Sequence, residues 1–178
     1  YLNIGTDGSG AVIWASGTEV GSDTDTTLSV VLGDVDGDGD LDLIAGNASA
    51  TNKLYLNDGS GGFAATGTNV ASDIDFTLSI VLGDVDGDGD LDLIAGNASQ
   101  NKLYLNDGSG GFAATGTDVG SDTDATLSVV LGDVDGDGDL DLIAGNYNQT
   151  NKLYLNIGTD GSGAVIWASG TEVGSDTD

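Results

Sequence analysis

A ten-residue acidic segment, Asp-Val-Asp-Gly-Asp-Gly-Asp-Leu-Asp-Leu, occupies residues 34–43 and returns unchanged at 84–93 and 133–142. Its spacing of 50 and then 49 residues divides the chain into units too long for a single hairpin and too short for independent domains. Periods of this length, with several short strands in each, are the mark of repeat architectures such as propellers. Carboxylates alternating along a few ångströms of chain repel one another and would drive protons onto their neighbours unless a cation lay between them. A hard, oxygen-seeking ion with a large flexible shell, calcium above all, resolves that conflict.

With Asp34 as position 1, side-chain oxygens are assigned to Asp34, Asp36, Asp38 and Asp42, and the backbone carbonyl to Asp40, at positions 1, 3, 5, 9 and 7. Gly39 at position 6 makes the bend. The second and third loops repeat the set as Asp84, Asp86, Asp88, Asp90 and Asp92, and as Asp133, Asp135, Asp137, Asp139 and Asp141. An EF-hand would need a bidentate Glu at position 12, where this chain has Ala45, Ala95 and Ala144, and it would need flanking helices. Instead the flanks are short β-branched and alternating runs bounded by glycine, such as Thr-Leu-Ser-Val-Val-Leu-Gly, so each loop joins two strands.

Leu-Gly-Asp-Val-Asp-Gly-Asp-Gly-Asp-Leu-Asp-Leu, then Asn-Lys-Leu-Tyr-Leu-Asn-Asp-Gly, then Gly-Gly-Phe resembles the FG-GAP/VCBS repeat of integrin-like β-propellers over nearly the whole chain. The resemblance implies an all-β fold of tandem four-stranded antiparallel blades, with a calcium loop between the first and second strands of each and the aspartates above as ligands of three Ca2+ sites. Strands are expected near 27–33, 40–47, 53–57 and 63–68 of the first full unit, with Asp58-Gly59 at a turn. The resulting division is a half blade of strands three and four at 1–25, then blades at 26–75, 76–124 and 125–178, about three and a half in all.

Residues 1–25 and 154–178 are identical at all 25 positions. Both ends therefore supply the same half of a blade, and the residues are expected to be a window on a longer tandem array or one protomer of a head-to-tail assembly. Partners would be copies of the chain or its own continuation, with a glycan or surface protein as a further possibility.

Trp14, Phe63, Phe112 and Trp167 hold equivalent places after the glycine-rich turn and are read as filling space between blades rather than as sugar platforms. Leu28, Val30 and Leu32 alternate as a half-buried strand should. Lys53, Lys102 and Lys152 are the only cations, expected on strand faces among carboxylates. Asn47, Asn97 and Asn148 open glycosylation sequons. Asp23/Asp25, Asp73/Asp75, Asp122/Asp124 and Asp176/Asp178 recur as Ser-Asp-x-Asp and are read as solvated turn carboxylates, with a second, looser cation as the alternative.

Charge and inventory narrow the function. Thirty acidic residues against three lysines give a net charge of −27, which excludes nucleic acid as a partner because nothing can neutralise phosphate. No stretch of the sequence is apolar for long enough to insert in a membrane as a helix. There is no His and no Cys, and no recognisable nucleophile–base motif, so the chain is read as non-enzymatic. Loops of this kind fill most readily where calcium is abundant, which places the chain outside the cell or on its surface. The near-identity of the repeats favours a structural or adhesive module over a ligand-binding propeller, since a dedicated site usually sets one blade's loops apart.

Overall fold

The computed structural model describes residues 1–174; Asp176 and Asp178 lie outside them. The chain is all-β, with β1 (Asn3–Thr6) and β2 (Val12–Trp14) forming a hairpin ahead of three four-stranded blades. The first blade comprises β3 (Thr27–Gly33), β4 (Asp42–Ala50), β5 (Lys53–Tyr55) and β6 (Thr68–Asn69). The second comprises β7 (Asp75–Gly83), β8 (Asp92–Asn97), β9 (Lys102–Tyr104) and β10 (Thr117–Asp118). In the third, β11 (Thr126–Gly132), β12 (Asp141–Asn146) and β13 (Asn151–Tyr154) are followed by a second hairpin, β14 (Asn156–Thr159) with β15 (Val165–Trp167), before β16 (Thr171–Val173) closes the sheet. All pairings are antiparallel and the registers repeat, Gly33 opposite Asp42, Gly83 opposite Asp92 and Gly132 opposite Asp141. The end of β4 also pairs with the start of β7, Ala48 with Phe76, which joins the first two blades in one eight-stranded sheet. Among the described residues no helix is long and apolar enough to cross a membrane.

Two element boundaries depart from the sequence reading. Strand two begins at Asp42 rather than at residue 40, because the loop holds the chain until its last aspartate. Strand four is the two-residue β6, whereas Phe63 belongs to a separate turn in which it bridges Asn57. That turn is self-contained: Asp58 Oδ1 accepts from Ser60 N at 2.9 Å, Ser60 Oγ at 2.7 Å and Gly62 N at 3.0 Å, the local bonding that favours Asp in turns. In residues 1–25 the corresponding hairpin is present as β1–β2, but 18–20, the counterpart of β16, lies in no strand.

The apolar core lies between blades rather than within them. One cluster sets Val35, Ile44, Leu54 and Val70 of the first blade against Ile80, Leu93, Ala95 and Tyr104 of the second. The other repeats it one unit on, with Val85, Ile94, Leu103 and Val119 against Val129, Leu142, Ala144 and Tyr154. Phe112 and Trp167 pack on the margins of these clusters. The outward strand of the first blade corrects the expectation for Leu28, Val30 and Leu32, which are exposed. Ile80, which corresponds to Val30, is buried because a blade precedes it.

Glycine permits this stacking at one recurrent point. A Cβ on Gly83 would lie 2.7 Å from Leu131 Cδ1 and 2.9 Å from Leu140 Cδ1, leucines of the following blade. Overpacking of this kind costs about 1–3 kcal/mol, so Gly83→Val is expected to lower the thermal midpoint clearly. Among the described residues Gly132 has nothing within 4 Å of the same point, and Gly132→Val should leave the midpoint of the monomeric chain unchanged, as calorimetry would show.

Candidate metal centres

Each acidic loop leaves the first strand of a blade and re-enters as the second, so the tight β3–β4, β7–β8 and β11–β12 ladders fix both of its ends. Glycines at position 6 turn the chain with φ of 93°, 98° and 102° at Gly39, Gly89 and Gly138, a region that side chains with a Cβ avoid. Their N–H groups donate back to the first aspartate, Gly39 N to Asp34 Oδ2 at 3.0 Å, Gly89 N to Asp84 Oδ2 at 3.1 Å and Gly138 N to Asp133 Oδ2 at 3.2 Å.

Within each loop the fold gathers three carboxylates: Asp34, Asp36 and Asp42; Asp84, Asp86 and Asp92; Asp133, Asp135 and Asp141. In each trio one oxygen per residue lies within 4.8 Å of the others. Asp38, Asp88 and Asp137 stand outside these trios, each accepting from the N–H two residues on, as Asp40 N to Asp38 Oδ1 at 2.9 Å. Asp40 and Asp90 turn their carboxylates toward Gly59 and Gly108 of the neighbouring turn, and Asp139 also stands outside its trio.

The donor set fits a hard cation. Every candidate ligand is a carboxylate oxygen or a backbone carbonyl, the chemistry calcium prefers. In the first loop, Asp34 Oδ1 is buried with no hydrogen-bond partner, and an orphaned carboxylate oxygen is costly unless something positive faces it. Bound there, the ion would neutralise the converging charge and lock the loop. Asp34, Asp36 and Asp42 and their equivalents would hold it.

The last aspartate of each loop has a second task that sequence reasoning missed. Asp42, Asp92 and Asp141 are almost wholly buried. Asp92 Oδ2 accepts from Val85 N and Oδ1 from Asn106 N, both at 2.9 Å; Asp42 and Asp141 are bonded alike, to Val35 and Asn57 and to Val134 and Asn156. One carboxylate thus ties the start of the loop to the end of strand three. Its alternation with the other aspartates conceals this in the sequence.

The Ser-Asp-x-Asp aspartates are also more than solvated turns. Asp23 Oδ2 accepts from Tyr55 Oη at 3.0 Å and Gly67 N at 2.7 Å. Asp73 accepts from Gly116 N at 2.7 Å, and Asp122 from Tyr154 Oη at 3.0 Å. Each latches the linker to the next blade. The Gly67 N–H, with the Tyr55 hydroxyl, holds the Asp23 carboxyl below the usual range. Burial, with Asp23 beside it, pushes the Tyr55 hydroxyl up to about 12. The signal was present, since each Asp is followed by a Tyr 31 or 32 residues on.

Lys102 pairs with Asp118 at 3.0 Å and Lys152 with Asp122 at 3.8 Å, whereas Lys53 donates to Asn69 at 2.8 Å because an amide replaces the acid there. The sequon reading needs correction at two positions. Asn47 and Asn97 are buried, and their Nδ2 groups donate to Thr51 O at 2.9 Å and Gln100 O at 3.0 Å, so the fold leaves no room for a glycan. Asn148 is exposed, at φ 54° in the turn.

Burial pushes the Asp92 carboxyl up to about 6, against the pull of its two N–H donors. Asp36 and Asp86 are raised too, by burial first and then by the neighbouring carboxylates. A carboxyl whose folded value lies above its unfolded one stabilises the fold at low pH and loses that contribution as pH rises through the folded value. For Asp92 the window runs from 3.8 to about 6, worth on the order of 3 kcal/mol. With excess chelator the thermal midpoint should therefore rise as pH falls from neutrality toward 5; with saturating calcium that rise should vanish, because protons then compete with the ion. Asp92→Ala should destabilise the chain by about 2–4 kcal/mol even in chelator. Asp86→Ala, which relieves repulsion and gives up only one exposed hydrogen bond, from Asp88 N at 3.2 Å, should do so chiefly in calcium, and melts under both conditions separate the two.

Models of known families match the chain over most of its length: the FG-GAP-like repeat at residues 34–95 and 84–144, and the FG-GAP repeat at 125–166. No curated protein matches it. The first match opens on Asp34 and the second on Asp84, the first residues of two of the acidic loops. Repeats of this kind build β-propeller-type modules and are typical of extracellular proteins. Blade architecture, loop position and sequence model agree, and the chain belongs to the FG-GAP repeat family.

Proposed function

We propose that the chain is a calcium-rigidified structural module of an extracellular or cell-surface protein, non-enzymatic, and working as part of an array of like blades. The observation that carries this is the threefold recurrence of one carboxylate trio at the same place in every blade. A catalytic or ligand-recognition site needs one locus unlike the rest, whereas a scaffold needs each unit stiffened alike. The family supports a structural or binding role, and the absence of His and Cys removes the commonest acid–base and nucleophilic groups.

Calcium acts here through folding. A net charge of −27 concentrated in loops opposes compaction, and ions that bind only the folded loops add their binding energy to stability. At free calcium ten- to a hundredfold above the dissociation constant, each site contributes about 1.4–2.7 kcal/mol. Three sites together approach the whole stability of a small domain.

Thermal melts in calcium and in excess chelator are expected to differ by many degrees, and superimposable curves would overturn the reading. Magnesium holds its waters and demands a tight octahedron, so at equal concentration it should restore far less of the midpoint than calcium does.

A further inference from the structure

We propose that a second copy of the chain docks its first blade on the outward face of the third, so that copies add head to tail. This rests on the array reading above and names the faces that make the contact.

The junction exists twice within the chain, and its parts recur. Leu82 and Leu91 sit over Gly33, and Leu131 and Leu140 sit over Gly83. Ser29 Oγ accepts from Ile80 N at 3.2 Å, and Ser79 Oγ from Val129 N at 3.3 Å. Asn106 Nδ2 donates to Val35 O and Asn156 Nδ2 to Val85 O, both at 2.8 Å, so a side chain of each following blade braces the metal loop before it.

Moved on by one unit, every part is present and unpaired with its like. Among the described residues, nothing lies within 4 Å of a Cβ placed on Gly132. Val134, the counterpart of Val35 and Val85, is 49% exposed, against 1% and 3% for those two. At the other end of the stack the two knobs, Leu32 and Leu41, are 53% and 54% exposed. Knob meets hollow only head to tail. Two heads would set leucine tips on leucine tips, and two tails would leave both hollows empty.

Residues 1–25 hold the place of the incoming copy. On the first blade, Ser22 N donates to Ala65 O at 2.8 Å and Gly67 N to Asp23 at 2.7 Å. At the next junction Ser72 N to Ala114 O and Gly116 N to Asp73 do the same. The incoming copy carries residues 154–178, identical in sequence to 1–25, and so brings the same residue types to this place. Burial of Leu32, Leu41 and Val134 is then the net gain.

Sedimentation equilibrium in calcium, taken up to millimolar chain, tests the proposal with the full chain. The wild type should associate beyond the monomer, into a ring if the rotation between blades closes and into longer chains if it does not. Gly132→Val, which fills the hollow at a point where no described residue lies within 4 Å of the added Cβ, and Leu32→Asp, which would bury a charge, should each raise the dissociation constant about a hundredfold or more. Mixed together, the two variants retain one good head and one good tail, and should form a heterodimer that grows no further. Asp23→Ala, which frees the placeholder, should tighten association. A wild type that stays monomeric, single variants that associate like the wild type, a mixture that fails to pair, or weaker association in Asp23→Ala would each overturn the proposal. Calcium titration separates it from the functional reading: three ions bound by a persistent monomer refutes the docking alone, and association without calcium binding refutes the calcium reading alone.

Discussion

Both oxygens of one buried carboxylate in each blade are taken by backbone N–H groups, and the rest of the blade is hung on that arrangement. Asp92 joins Val85, at the mouth of the acidic loop, to Asn106, where strand three ends. Because the same residue belongs to the carboxylate trio, the loop cannot open to relieve its charge without releasing strand three as well. Electrostatic strain and sheet geometry are therefore coupled through one side chain. A cation held in the loop would relieve the first and by doing so secure the second.

The coupling extends past the single blade. Asn106 receives its position from Asp92, and its own side chain donates to Val35 in the loop of the blade before. The acidic loop of one blade is thereby braced by the sheet of the next, and the apolar clusters lie at that same seam. A four-stranded sheet this small cannot bury a face of its own, so each unit borrows half of its core from a neighbour, as repeat proteins do. Exposed valines and leucines at the two ends of the stack follow from the same geometry and differ from the buried set in neighbours, not in kind.

Tyr55, Tyr104 and Tyr154 show how this seam is closed on its polar side. Each is buried, Tyr104 and Tyr154 against the apolar surface of the preceding blade, and a linker carboxylate lies at its hydroxyl. The Asp that ends one unit and the Tyr that fills the next make the linker part of the interface, which keeps consecutive blades from sliding over one another.

The unit length, the strand-joining acidic loops and the all-β class were determined by the sequence alone, because each depends on local spacing and repeats three times. Which aspartates converge was decided by the tertiary structure. Asp42 and Asp38 are indistinguishable as letters in an alternating run, yet one is buried under two N–H donors and the other caps its own turn. The same holds for Val30 and Ile80, equivalent in pattern, one exposed and one buried because only the second has a blade before it. Asn47 was legible as a sequon but not as a buried bridge to Thr51. Periodicity records what each residue does to its neighbours along the chain; burial, and with it the fate of a charge or an amide, is set by the unit that packs against it.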